Sequence, residues 1–218
     1  MFPKKKLSAL LLTAACASTL SVPVLADAGD WLTRVRVINV SPDDSSGEVP
    51  AVAGSGVSPG NDTTLELDFT YMLTNNMGLE LILATSKHDI SGTGTLAGAD
   101  VGEVSVLPPT LTLQYHFAPS SKIRPYAGVG VNYTYFYDGE LGSALVANGA
   151  TDIDYDDSFG LAVQAGVDVE INKDWFVNLD VKYVQIDTTA TITGGALAGN
   201  VDVDINPWIF GVGIGTRF

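Results

Sequence analysis

The chain has 218 residues, of which 25 are acidic and 11 are basic, so its net charge is −14. A charge of this sign argues against nucleic acid as a partner, because affinity for phosphates comes largely from Lys and Arg. The single cysteine, Cys16, excludes a disulfide framework within the chain.

The first 26 residues have the features of a secretory signal peptide. Lysines at positions 4–6 precede an apolar run at 7–17, and Val24-Leu25-Ala26 is a typical small-residue cleavage motif. We therefore expect residues 1–26 to be removed and residues 27–218 to form one domain of 192 residues.

The remaining chain would have 8 basic residues against 25 acidic ones, a net charge of −17, and no cysteine to ligate a metal. A lipoprotein signal cleaved before Cys16 is the weaker alternative, because Thr13 stands where such signals normally have Leu. The mature chain contains no run of 18 apolar residues, which excludes a membrane-spanning helix. If the protein spans a membrane, it does so as a closed sheet, which pairs all its backbone groups internally.

Eight segments alternate between apolar and polar side chains, the pattern of strands with one face in each environment. In the first segment Val35 and Val37 share one face, whereas Arg34 and Arg36 share the other. The segments are 31–37, 65–71, 79–84, 111–117, 128–135, 159–170, 175–183 and 208–218.

The connections between these segments alternate in length. Three are short, near 74–77, 118–123 and 172–174, and four are long, polar and rich in Gly, Asp and Ser, at roughly 41–62, 89–106, 138–157 and 188–203. Short periplasmic turns and long extracellular loops give this rhythm in transmembrane barrels. The sequence thus predicts an all-β fold, an eight-stranded antiparallel transmembrane β-barrel with both termini on the periplasmic side.

The aromatic residues give a second indication of a membrane barrel. With this topology they fall into two girdles, as expected at the two membrane interfaces, whereas a soluble barrel would place its apolar side chains inside. The periplasmic girdle contains Tyr71, Tyr115, Phe117, Trp175 and Phe218, and the outer girdle contains Tyr133, Tyr135, Tyr137, Phe159, Tyr183 and Trp208. These girdles, the export signal and the terminal Phe218 predict location in the bacterial outer membrane.

Several segments resemble the OmpW family of small outer-membrane barrels. They are 107–111 (Leu-Pro-Pro-Thr-Leu), 124–134 (Arg-Pro-Tyr-Ala-Gly-Val-Gly-Val-Asn-Tyr-Thr), 186–190 (Ile-Asp-Thr-Thr-Ala), 204–208 (Asp-Ile-Asn-Pro-Trp) and the ending Arg217-Phe218. The resemblance implies a barrel that passes small, mostly hydrophobic molecules and releases them sideways into the outer-membrane lipid. It also implies that Phe218 is read by the outer-membrane assembly machinery.

The same resemblance assigns a constriction of the transport path. Ile82 matches a position that helps to form an apolar constriction in the family. Lys182 departs from the pattern, because relatives often have Trp there. Either Lys182 pairs with Asp180 or another interior acid, or the protein takes more polar cargo.

Pro108 and Pro109 stand at the outer start of the fourth strand. Proline has no N–H, so hydrogen bonds of the ladder are missing there and the wall between the third and fourth strands should be weak. This weak seam is a candidate lateral exit. The alternative is that the two prolines only end a loop, and the family resemblance favours the exit.

Eight strands leave room for packed side chains or one small ligand, but not for a wide aqueous channel. The alternation turns charged side chains of both signs toward this lumen, and unpaired buried charges would cost several kcal/mol each. We therefore expect a paired charge network that plugs the lower lumen, formed by Arg34, Arg36, Glu66, Asp68, Glu80 and Asp180, with Asp168 and Glu170 on the same face.

No catalytic, metal or cofactor site is predicted. The two histidines, His88 and His116, are expected to be structural, and nothing in the sequence places Ser86 or Ser105 against His88 in space. The acidic segment 152–157 lacks the spacing of a calcium loop. It could bridge lipopolysaccharide phosphates through divalent cations, but solvated surface charge is the simpler interpretation.

Two functions besides a passive conduit are compatible with the sequence. A structural or adhesive barrel would act through its acidic loops, binding host surfaces, lipopolysaccharide or phage. A lipid-modifying enzyme would need a catalytic dyad or triad facing the membrane near the outer rim, and no such set can be assembled from the sequence.

Overall fold

The computed structural model describes residues 27–218, and the expected signal peptide lies outside the described residues. The secondary structure is almost entirely β. Its elements are β1 Trp31–Ser41, β2 Ser45–Ser46, β3 Ser55–Pro59, β4 Asp62–Met72, β5 Met77–Ala84, β6 Ser86–Gly94, β7 Asp100–Leu107, β8 Thr110–His116, β9 Ile123–Leu141, α1 Ser143–Ala147, β10 Asp152–Tyr155, β11 Ser158–Glu170, β12 Trp175–Val184, β13 Asp187–Thr193, β14 Gly199–Asp204 and β15 Trp208–Arg217.

Eight of these strands form a closed antiparallel barrel. Their order around the wall is β1, β4, β5, β8, β9, β11, β12 and β15, and the pairing of β15 with β1 closes the circle. The register aligns like faces, since Arg34 is opposite Asp68 and Val35 is opposite Leu67. The eight predicted segments coincide with these strands, and the predicted fold class is confirmed.

The long connections are not the polar loops that the sequence predicts. They contain β2, β3, β6, β7, β10, β13, β14 and the outer part of β9, which extend the wall beyond the barrel. Four of these, in the order β10, β13, β14 and β2, form a separate sheet. Their inward side chains supply much of the main hydrophobic cluster, among them Val57, Ile90, Val104, Ile153, Ile192, Val201 and Val203. Each of these strands is short and has polar residues on its water-facing side, so its sequence resembles that of a polar loop.

The barrel itself has its polar side chains inside and its apolar side chains outside. Arg34 and Arg36 are fully buried, whereas 72% of Phe159 is exposed on the outer surface. Trp31 packs against Tyr71 at one end, with ring centroids 5.1 Å apart, and Tyr183 packs against Trp208 at the other end, at 5.2 Å. This inversion is expected of a wall whose outer face contacts lipid.

Within residues 27–218, no helix is long and apolar enough to cross a membrane.

Candidate functional site

The lower half of the lumen is filled by paired charges. The guanidinium of Arg34 contacts Asp168 at 2.9 Å and Asp68 at 3.0 Å. The guanidinium of Arg36 contacts Glu66 at 2.7 Å and Asp68 at 3.2 Å. The three acids and two bases of these pairs come from β1, β4 and β11, which the closed barrel brings together.

Lys182 extends this network at its upper surface. Its ammonium donates to Asp180 at 2.7 Å and to Glu66 at 2.8 Å. Of the two alternatives left by the sequence, the structure therefore contains the paired lysine. Tyr126, which the sequence analysis did not assign to the network, donates its hydroxyl to Asp180 at 2.7 Å and accepts a bond from Asn178 at 3.0 Å.

Neutral side chains complete the plug around Glu80. One Glu80 oxygen accepts bonds from Gln164 at 2.5 Å, Gln114 at 2.7 Å and Thr112 at 3.0 Å. The other lies 3.4 Å from Arg34. The alternation puts these neutral residues on the inner face, but it gives no indication that they converge on a single carboxylate.

Glu170 lies lower than the rest, where it pairs with Arg217 at 2.9 Å and Arg124 at 3.2 Å. His116 is buried and bonded to Gln114 at 3.1 Å. Together these contacts make the lower lumen a packed polar plug, in which the charges of the upper layers are almost completely removed from solvent.

Above the plug lies an apolar cavity of about 60 Å³, roughly four times the space that one water molecule requires. Glu66, Lys182 and Ile82 line it where it meets the plug. Its wall is otherwise mainly aliphatic, and includes Ile38, Val40, Val57, Ile90, Val104, Val106, Pro108, Phe136, Val184, Ile186, Val203 and Ile209. Ile82 is thus one of the apolar side chains next to the charged floor, as is Ile209, which lies opposite Lys182 in the register.

Tyr155 also lines the cavity, from the outer extension. Burial raises the pKa of its hydroxyl to about 12, so Tyr155 is neutral in this apolar wall at physiological pH.

The wall beside the cavity is interrupted at Pro108 and Pro109. The ladder between the third and fourth wall strands runs up to Ile82 opposite Thr110 and resumes at Ser86 opposite Val106. Between these points, in the chain as described, the crossing hydrogen bonds are side-chain ones. Thr85 Oγ1 donates to the Val106 carbonyl at 3.2 Å and lies 2.5 Å from the hydroxyl of Tyr137.

The two prolines act on different neighbours. The carbonyl of Pro109 accepts a bond from the Tyr133 N–H at 3.1 Å, so Pro109 faces β9. Because successive backbone groups of a strand point to opposite sides, Pro108 faces β5 and β6. The sequence analysis placed both missing donors in one seam, whereas only that of Pro108 lies there. Asn132 holds both prolyl carbonyls from inside, at 3.2 and 3.4 Å.

A second interruption, at Pro207, lies on the opposite wall between β12/β13 and β14/β15. It remains bridged by three hydrogen bonds. The N–H of Val184 bonds to Pro207 O at 3.2 Å, that of Ile205 to Ile186 O at 2.8 Å, and that of Ile186 to the Asn206 side chain at 3.1 Å. The seam at Pro108 is therefore the less well bonded of the two.

Ser86 and His88 meet in the cavity wall, contrary to the sequence analysis, which found nothing to join them. Ser86 Oγ lies 2.9 Å from His88 Nε2, and His88 Nδ1 lies 2.7 Å from the carbonyl oxygen of Gly60. Both side chains are buried and point inward at positions i and i+2 of β6. The third partner is a carbonyl 28 positions away, which only the fold brings into contact.

The profile of the OmpW family matches residues 27–218. The chain belongs to the OmpW family. It is 40% identical to outer membrane protein W of Vibrio cholerae over 210 residues, which cover 94% of this chain and 96% of that protein. The assignment confirms the resemblance seen in the sequence and places the protein in the outer membrane.

Two further relatives of this OmpW-family protein differ in name. The crystal structure of OprG from Pseudomonas aeruginosa has a TM-score of 0.82 and 38% identity, and the match covers 88% of this chain and 97% of OprG. A protein of Pseudomonas sp. strain C18, named dibenzothiophene metabolism operon protein DoxH, is 27% identical over 91% of this chain and 93% of its own length.

Proposed function

We propose that the barrel is a passive, non-catalytic conduit that lets small hydrophobic or weakly polar molecules cross the outer membrane and releases them sideways into the lipid beside Pro108. One observation carries the proposal. An apolar cavity opens in the upper lumen, a charged plug lies below it, and the wall at its side lacks backbone hydrogen bonds. Downhill movement through such a path needs no cofactor and no metal.

A comparison of the energetic costs of the two exits favours the lateral one. To pass downward, a solute would have to separate buried ion pairs such as that of Arg36 with Glu66, and breaking a buried pair costs about 3–5 kcal/mol. To pass sideways, it would have to break the bonds of Thr85 with Val106 and Tyr137, and each such bond contributes about 1 kcal/mol net. Outside the seam, Leu111 is exposed toward lipid, so an apolar solute leaves one apolar environment for another.

The name of DoxH supports apolar cargo. Dibenzothiophene is a fused aromatic molecule without a charged group, and a cavity lined by aliphatic side chains suits molecules of that kind. The partners proposed for this protein are accordingly small hydrophobic solutes and the outer-membrane lipid that receives them.

A reversible staple tests the lateral exit. The register places Thr85 opposite Leu107 in the seam, next to the Ser86–Val106 pair at its edge. A Thr85→Cys/Leu107→Cys protein would have no other cysteine once residues 1–26 are removed. The matched control is Asn39→Cys/Thr63→Cys, a register pair in the intact β1–β4 ladder whose native side chains lie 3.1 Å apart. Uptake of the fluorescent probe N-phenyl-1-naphthylamine is measured in proteoliposomes with lipopolysaccharide in the outer leaflet.

We expect oxidation of the seam pair to reduce uptake at least about fivefold, since a disulfide fixes the two Cα atoms at roughly 4.4–6.8 Å. Dithiothreitol should restore uptake, and oxidation of the control pair should leave it unchanged. Full uptake through the oxidised seam would refute the lateral exit. Uptake no faster than in protein-free vesicles, with a folded unmodified barrel, would refute the conduit itself.

The prolines provide an independent test that needs no cross-link. Pro108→Val restores a donor toward β5 and β6 and should reduce uptake, whereas Pro109→Val restores one toward β9 and should not. Equal uptake by the two variants would show that the bonding of this seam does not govern release.

A second candidate is a structural or adhesive barrel that binds lipopolysaccharide through divalent cations. Asp152, Asp154, Asp202 and Asp204 are exposed on the sheet of the outer extension, which favours this candidate. Within the described residues no three His, Cys, Asp or Glu side chains are grouped to hold a metal, so any cation would have to be shared with the phosphates. Magnesium-dependent capture of lipopolysaccharide, abolished when the four residues are changed to Asn, would support it.

A further inference from the structure

Ser86 and His88 place a polar group in the wall of an otherwise mainly aliphatic cavity. Pro59, Ile90, Val106 and Phe136 also line it. Both polar side chains are almost fully buried, at 7% and 6% exposed. Burying a polar group costs free energy unless it is hydrogen-bonded, and the contact between Ser86 and His88 offsets this cost and holds both groups in the wall.

The hydrogen bonds of His88 fix its tautomer. A backbone carbonyl can only accept, so the 2.7 Å contact with Gly60 requires the proton to be on Nδ1. In the neutral imidazole Nε2 is then an acceptor, and the hydroxyl of Ser86 donates to it across 2.9 Å. Gly60 is itself held, since its N–H donates to the Asp89 carbonyl at 2.8 Å.

This arrangement leaves the pair able to accept but not to donate. The proton of Ser86 is used on Nε2, and that of Nδ1 is used on Gly60. The lone pairs of Ser86 Oγ are left for a ligand, so the pair complements a molecule that brings its own donor. An ether, ketone or ester of the same size has only acceptor atoms, so it could not form a hydrogen bond with the free lone pairs of Ser86.

We propose that Ser86 and His88 form a hydroxyl-recognition site, which makes the cavity select apolar molecules with an alcohol or phenol group over isosteric molecules that only accept hydrogen bonds. The proposal rests on the proposed function in treating the cavity as the cargo path. Its test is equilibrium binding, so a failure of transport and a failure of recognition give different results.

Hexan-1-ol and methyl pentyl ether are suitable probes, because they are isomers of nearly equal size and differ in the presence of a donor. Their binding to the refolded protein in nanodiscs is measured by headspace gas chromatography, with empty nanodiscs subtracted. We expect the alcohol to bind about 3- to 10-fold more tightly, the value of one net hydrogen bond. Equal binding of the two isomers would overturn the proposal.

Variants identify the residue that creates the preference. His88→Leu should abolish it, because Ser86 is then free to donate to the ether oxygen. Ser86→Ala should keep it, because the alcohol can donate to Nε2 directly. Ser105→Ala is the matched control, a buried serine on the neighbouring β7 that does not line the cavity, and it should bind as the unmodified protein does.

A second readout uses the fact that the chain contains only two histidines. Hexan-1-ol should shift the imidazole ¹⁵N signals of His88, whereas those of His116, bonded to Gln114 within the plug, should not move. This result does not depend on whether His88→Leu folds. A shift of His116 alone, or loss of the alcohol preference in Ser86→Ala, would contradict the proposed site.

Discussion

Replacing Arg34 by Met tests whether the lumen is truly plugged. Arg34 is fully buried and contacts three carboxylates. It donates to Asp168 through Nε at 3.1 Å and Nη2 at 2.9 Å, to Asp68 at 3.0 Å, and approaches Glu80 at 3.4 Å. Methionine fills part of the same volume but leaves these acids without their common partner.

The size of the effect follows from what each acid retains. Asp68 keeps Arg36 at 3.2 Å and Glu80 keeps its neutral donors, but Asp168 loses both guanidinium bonds and retains Asn178 at 2.8 Å. One strongly underpaired carboxylate therefore remains. Removing one partner of a buried ion pair costs about 3–5 kcal/mol, and we expect a loss in this range.

Urea unfolding of the reconstituted barrel measures this loss, with fluorescence from Trp31, Trp175 and Trp208 as the signal. With a slope of about 2 kcal/mol per molar urea, a loss of about 4 kcal/mol lowers the midpoint by roughly 2 M. Asp168→Asn in the Arg34→Met background removes the underpaired charge. It should recover part of the stability, which a double-mutant cycle quantifies.

Arg217→Met is the matched control. Arg217 lies opposite Leu32 on the adjoining strand, and its ion-pair partner Glu170 is partly exposed and keeps Arg124. We expect this change to cost clearly less than Arg34→Met, because Arg217 is itself buried but the Glu170 side chain that it leaves is 25% exposed and keeps Arg124. If Arg34→Met costs no more than Arg217→Met, the lower lumen is wet rather than packed, and the argument that solute must leave sideways is wrong.

The remaining predictions concern the membrane surface, the terminus and the floor of the cavity. Leu111→Arg puts a charge on the lipid-facing wall and should lower the stability of the barrel by about 2–4 kcal/mol near the midplane. The measurement is the refolding yield in liposomes, read from the heat-modifiable mobility of the folded barrel on gels. Phe218→Ala should reduce assembly in cells but not refolding in detergent, because the side chain is 72% exposed and the hydrogen bonds to Trp31 come from the backbone of Phe218. An equal loss in both assays would argue against recognition of Phe218 by the assembly machinery. Lys182→Met should destabilise less than Arg34→Met, since Glu66 keeps Arg36 at 2.7 Å, and the same urea assay ranks the two.

The amino-acid sequence by itself determined the barrel and its orientation. A strand turns alternate residues to opposite faces, so Val35 and Val37 on one face and Arg34 and Arg36 on the other are separated before any contact is known. The rhythm of the turns predicts which end of each strand faces the periplasm. The missing N–H groups then indicated Pro108 and Pro109 as special positions of the wall, and the family resemblance favoured a lateral exit there.

Only the tertiary structure decided which side chains meet. Arg34 and Asp168 are 134 positions apart, and their contact depends on strand register and on the closure of β15 against β1. The fold likewise shows that the donor missing at Pro108 lies in one seam and that the donor missing at Pro109 lies in another. It also shows that the four predicted loops form an extended wall with an apolar interior. Ser86 and His88 were visible as neighbours in sequence, but the tautomer of His88 depends on the carbonyl of Gly60. The alternation of apolar and polar residues shows which face of the wall a side chain is on. Its contact partners across the lumen depend on strand register and on closure of the barrel, which a local sequence pattern does not specify.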